Sequence, residues 1–176
     1  MLSLSVLAAL VLGWCTGGRL ARFAGCGLRL LPLPVAALLL QRISCAPWAL
    51  LISYGLLFLF AWCNRHLKKI ALLLALGGAC NLAVIAANGW RMPVSRQALE
   101  LLSPQAAADL LAGAIPMYTA AGAHTRLWLL GDVLYCPLPV IGGFASVGDL
   151  LLMAGVFFLI LAAMAPDRLP RWMKNG

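Results

Sequence analysis

The stretch Ile70 to Ala87, IALLLALGGACNLAVIAA, runs for eighteen residues without a charged side chain. A helix of that length and polarity is what crosses the hydrocarbon of a bilayer, where water is absent and each backbone N–H and C=O must find a partner inside the segment. Further apolar runs lie at about 2–18, 28–43, 47–63 and 147–165, each near the minimum of about 17 residues for a span. The run at 28–43 is the least regular. Pro32 and Pro34 fall in its first turns, where a missing N–H is least costly, and Arg42 has to snorkel out of its far end.

Composition agrees with a bilayer as the solvent. Of the 176 residues, 64% are hydrophobic and only 10% are charged, too few polar groups to cover a soluble domain of this size. The formal net charge of +8 does not form a nucleic-acid footprint, because the basic residues sit in short gaps between apolar runs and not on one soluble face. Their placement instead orients the spans. Arg19, Arg22 and Arg29, then Arg65, Lys68 and Lys69, then Arg168, Arg171 and Lys174 account for nine of the 13 basic residues. If these three regions are cytoplasmic, five spans alternate consistently, with the N-terminus outside and the C-terminus inside.

The expected fold is therefore an all-α polytopic transmembrane helix bundle of about five helices, a single domain over residues 1–176. Residues 89–145 form its long extracytoplasmic loop. That loop is expected to carry short interfacial helices. Ser103-Pro104 reads as the N-cap and first position of one running toward Gly113, and His124 to Leu130 as an interfacial anchor. Pro137, Pro139, Gly142 and Gly143 then predict a turn-rich return to the last span. The first span lacks a basic leader and a small-residue cleavage site, so it is read as retained. The six cysteines have no Cys-x-x-Cys pair or ligand spacing. No metal or cofactor is expected, and they read as packing residues.

Polar residues gather at the outer ends of the spans. Asn88-Gly89 can end a helix in the left-handed conformation with Pro93 preventing its resumption, which leaves Arg91 unexplained by capping. Ser146-Val147-Gly148-Asp149 has the spacing of a capping box, with Asp149 near the positive end of the last helix. Asp132 and Asp149 are also the candidates for chemistry. Two carboxylates in a low-dielectric site share one proton, so that one activates water while the other protonates the leaving group. Asn88, Arg91 and Arg126 are the candidate binding residues. Within the spans, Asn81, Ser53 and Tyr54 read as interhelical hydrogen-bonding groups.

Taken in order, Ser53-Tyr54, Asn64-Arg65, Val84 to Gly89, Met92 to Ser95, Arg126 to Asp132, and Phe144 with Ser146 to Asp149 resemble a family of small bacterial membrane proteins known only as domain of unknown function 5317. The resemblance implies a bacterial cell-membrane location and no activity. Trp90 and Arg91 stand here where that family commonly has a second glycine. A more distant likeness is to lipoprotein signal peptidase, an aspartyl enzyme. Asn88-Gly89, Asp132 and Phe144 to Asp149 follow its order, whereas Val133, Ser146 and Gly148 depart from its pattern. The expected function is a non-enzymatic structural or partner-binding membrane component, in contact with lipid and with a protein partner or a second copy. The alternative is an intramembrane aspartyl hydrolase using Asp132 and Asp149.

Overall fold

A computed structural model describes residues 2–136 and 143–174. The chain is mostly helical. Its apolar runs fold as α1 (Leu2–Cys15), α2 (Pro32–Ile43), α3 (Pro47–Cys63), α4 (Lys68–Ala87) and, far along the sequence, α7 (Val147–Met164). Of these, α4 and α7 are long and apolar enough to cross a membrane, and the other three are shorter apolar helices.

Four of the five helices depart from the expected boundaries, α4 only by starting two residues earlier, at Lys68. The first stops at Cys15 because Gly17 turns left-handed at φ 83° and the Gly18 N–H closes onto the Gly13 carbonyl at 2.8 Å. The second starts at Pro32, four residues late, behind Gly27 and Leu30 at positive φ. The last ends at Met164. A 3-10 turn at Leu20–Gly25 fills the gap after α1.

Contacts fix the direction of each helix. The Ser5 hydroxyl donates to the Met153 carbonyl, and Gly13 lies against Met164, so α1 runs parallel to α7. Gly77 meets Gly148 while Leu74 meets Gly155, so α4 runs antiparallel to α7. Leu57 and Phe58 of α3 pack on Gly78, and Phe60 and Ala61 join Ile70 and Leu74 in one core, which makes α3 antiparallel to α4. Between α2 and α3, the Ser53 hydroxyl donates to the Ala37 carbonyl at 2.7 Å and accepts from Gln41. Asn64 ties the far end of α3 to the backbone of Arg29. The five helices thus alternate in direction, and the long loop lies at the end shared by the start of α7 and the finish of α4.

That loop holds α5 (Arg96–Glu100) and α6 (Pro104–Leu111), with Ser95 and Ser103 accepting from the N–H groups of Ala98 and Ala106. It also holds strands, which the helical pattern does not predict. β1 (Met92–Val94) pairs in parallel with β2 (Tyr118–Ala120), and β3 (Leu134–Cys136) pairs antiparallel with β4 (Gly143–Ala145). Each strand is three residues long, too short for alternation to show in the sequence. The segment expected as an interfacial anchor contains a 3-10 turn at Trp128–Leu130 with exposed Leu127, Trp128 and Leu129. The turn expected from Pro137, Pro139 and Gly142 lies outside the described residues. The tail finishes in α8 (Arg171–Lys174), where Trp172 stacks edge-on against Phe158 and its carbonyl accepts from Lys69.

Candidate functional site

The first turn of α7 is built by a reciprocal cap. The Asp149 N–H donates to the Ser146 Oγ at 2.9 Å and the Ser146 N–H donates back to the Asp149 Oδ2 at 3.1 Å, so two otherwise orphaned donors are satisfied within four residues of chain. The cap reaches across to α4. The Asn81 Nδ2 donates to the Asp149 Oδ1 at 2.8 Å, and the Ser146 hydroxyl donates to the Asn81 Oδ1 at 2.8 Å. Ser146 and Asn81 are buried, and the exchange is closed: each group gives to one and takes from another.

Glycine makes the closure possible. A Cβ on Gly148 would stand 2.0 Å from the Asn81 Oδ1 and 2.7 Å from the Gly77 carbonyl oxygen, so only a bare backbone lets the carboxamide pass between α4 and α7. The Tyr54 side chain on α3 is buried beside the same carboxamide and interacts with it. Tyr54 and Asn81 come from regions of sequence far from the Ser146–Asp149 cap, and the four meet at one end of the bundle.

Asp132 arrives from the loop. Its N–H donates to the Pro93 carbonyl at 2.9 Å and its carbonyl accepts from Ser95 at 3.1 Å, so the backbone at Asp132 runs alongside β1 on the edge away from β2. Gly131 permits this approach, because a Cβ there would stand 2.6 Å from the Pro93 oxygen. The result is a carboxylate only 5% exposed, whose Oδ1 is buried without a hydrogen-bond partner among the described residues. Burial, and then the Asp149 carboxylate, push the Asp132 pKa up from 3.8 to about 7. Tyr118 of β2 stands at the rim, 41% exposed, and its phenol is held above its ordinary range by desolvation and by the charges of Asp132 and Asp149, with Arg42 opposing.

The other residues singled out from sequence occupy a neighbouring position. The Asn88 carboxamide donates to the Val84 and Arg126 carbonyls at 2.7 and 2.8 Å and accepts from the Arg126 N–H at 2.9 Å. Asn88 and Arg126 are thus brought together through the Arg126 backbone, a clasp that ties the loop to the end of α4. Arg91 is exposed, with its guanidinium against Gly113. Gly89 and Trp90 both take positive φ in the turn between them. Among the described residues, no group of His, Cys, Asp and Glu has the arrangement to hold a metal ion.

Tyr118 and the position of Tyr54 are not legible from sequence as part of this cluster, since nothing local marks a tyrosine whose neighbours lie far along the chain. Asn81 is legible only as an interhelical donor.

No curated protein and no solved structure matches the chain. A family model described as "Family of unknown function (DUF5317)" matches residues 30–161, a range that holds Tyr54, Asn81, Asp132, Ser146 and Asp149. With three quarters of its length matched, including every residue of the polar cluster, the chain belongs to this family of unknown function.

Proposed function

We propose that this is a bacterial integral membrane protein of five spans whose aspartate pair, Asp132 and Asp149, acts as an aspartyl hydrolase at the outer membrane surface. The observation that carries the reading is the buried, unpartnered Oδ1 of Asp132, a carboxylate that feels the charge of Asp149. A purely structural role would have that carboxylate cap a helix or pair with Arg91 or Arg126. It does neither among the described residues. The five-span reading is supported by the alternating helix directions and by Leu7, Val11, Leu38, Leu51, Leu72 and Leu76, which all face outward. Such a belt is at home against lipid. The basic residues favour the N-terminus outside and the C-terminus in the cytoplasm.

The two carboxylates divide the work by environment. Asp149 accepts from the Asn81 amide and the Ser146 N–H at the N-terminal end of α7, and in this reading it is the base. Each of its oxygens accepts one of these bonds and has a second lone pair able to accept from water. Asp132 carries the proton. In the reaction, Asp149 takes a proton from water as the water oxygen bonds to a peptide carbonyl carbon, and Asp132 gives its proton to the carbonyl oxygen. Collapse of the tetrahedral species breaks the C–N bond, returns the proton from the hydroxyl to Asp132, and passes the Asp149 proton to the departing amine. The order of Asn88, Asp132 and Asp149, which resembles that of lipoprotein signal peptidase, adds support.

The test is cleavage of a library of membrane-anchored peptides by the detergent-purified protein, compared with Asp132→Asn and Asp149→Asn. Cleavage by the wild type that each variant loses by about 100-fold or more, with folding unchanged for Asp132→Asn, is the expected result. Equal cleavage by Asp132→Asn removes the reading. A second reading, a structural or partner-binding component, is favoured by Asp149 alone, whose bonds already serve to fasten α7 to α4. It predicts that no peptide is cut, and that Asp149→Asn loses assembly with a partner or a second copy.

A further inference from the structure

At the opposite end of α7 two cavities adjoin and share one side chain. The first, about 310 Å³, is lined by Thr16, Gly17, Arg22, Ala165, Asp167 and Arg168. The second, about 390 Å³, is lined by Ala21, Arg22, Gly25, Cys26, Ala162, Ala163 and Pro166, and apart from Arg22 its walls are small and apolar. Arg22 stands between them, with one guanidinium nitrogen donating to the Met164 carbonyl at 3.3 Å. That bond uses one of five donors and fixes the planar fork at the end of the helix.

We propose that these joined cavities are a binding site for an anionic phospholipid, its phosphate held by Arg22 and Arg168 and the start of an acyl chain lying along Ala21, Gly25, Ala162 and Ala163. The two arginines outnumber the single acid in the lining, Asp167, which already has an interaction of its own. Arg19 flanks the polar cavity and sends its N–H to the same Met164 carbonyl. A free phosphate fills the polar cavity and leaves the apolar trough unexplained. A neutral lipid fills the trough and leaves the paired arginines unexplained. A phospholipid with a net negative headgroup answers both, and basic pockets at the cytoplasmic ends of spans select such lipids. The proposal rests on the membrane-spanning reading and is independent of the aspartate pair.

The experiment measures thermal unfolding of the full chain, purified in a neutral detergent, with phosphatidylglycerol, phosphatidylcholine or inorganic phosphate added. Phosphatidylglycerol is expected to raise the Tm by several degrees more than phosphatidylcholine. In Arg168→Gln, which leaves the Arg22 bond to Met164 in place, the half-saturating lipid concentration should rise about tenfold or more. Ala162→Leu, which fills the trough without touching charge, should do the same. Equal responses to the two lipids overturn the proposal, as does an Arg168→Gln response like the wild type. A phosphate response as large as that to phosphatidylglycerol also overturns it, because the site is then for a free anion. If the protein leaves membranes in carbonate without detergent, the spanning reading has failed and not this one alone.

Discussion

At its first turn α7 meets three fixed partners, the Ser146 hydroxyl, the Asp149 carboxylate and the Asn81 amide, in an exchange whose Ser146 and Asn81 are buried. At its last turn the Met164 carbonyl meets the Arg19 N–H at 3.4 Å and one Arg22 nitrogen at 3.3 Å, from exposed arginines at longer distances. Both ends complement the helix dipole, negative at the start and positive at the finish. The difference is in how much freedom each leaves. The buried end is committed to one geometry, which is what a pair of carboxylates needs in order to act on each other. The exposed end leaves its arginines within reach of solvent.

Gly148→Ala is expected to do the most damage at the buried end. A methyl group 2.0 Å from the Asn81 oxygen and 2.7 Å from the Gly77 backbone forces α4 and α7 apart. A loss of about 3 kcal/mol or more is expected, enough to abolish folded protein in detergent. An unchanged Tm would mean that the helices do not approach this closely. Next comes Asn81→Leu, which leaves the Asp149 Oδ1 and the Ser146 hydroxyl without their partner, at about 1–3 kcal/mol. Thermal unfolding measures both. A similar loss from a residue at the other end of α7 would erase the contrast between the two.

What can be read from sequence follows the range of each interaction. The Ser146–Asp149 cap is local, spanning four residues, and its pattern is plain in the order of the residues themselves. The apolar helices are legible for the same reason, since each is written in a continuous run. Asn81 bonds to Asp149 across 68 positions, and no periodicity announces that. Asp132 stands out in the sequence as a candidate, but its burial does not. That burial depends on β1 accepting the Asp132 backbone, through three-residue strands whose pairing no hydrophobic pattern predicts. Arg91 and Arg126 stand out as cations in a loop, whereas the fold uses the Arg126 backbone and rests Arg91 on Gly113.

A third prediction concerns pH. Asp132 has a folded pKa of about 7 against 3.8 unfolded, so between these values the folded chain holds a proton that the unfolded chain has lost. Stability from this group is full below about pH 4 and is lost as pH rises toward 7, by about 1.4 kcal/mol per unit at the limit of one proton. Asp132→Asn cannot ionise. The difference in Tm between Asp132→Asn and wild type should therefore grow in favour of the variant from about pH 4 to about pH 7 and then level off. A difference that stays constant with pH would falsify the buried pair as drawn.

The smallest effect is at the exposed end. Arg22→Gln removes a cation beside the last turn of α7, where such a charge contributes about 0.3–1 kcal/mol at low ionic strength and falls off with salt. Its Tm in lipid-free detergent should drop slightly at low salt and approach the wild type at about 0.5 M salt. The loss from Asn81→Leu should be the same at both, because a buried hydrogen bond is not reached by mobile ions. Salt thus separates the two ends of one helix by a property that overall stability does not. If Arg22→Gln were as damaging as Asn81→Leu and as indifferent to salt, the guanidinium would be a structural strut on Met164, with no capacity left over for a ligand from the bilayer.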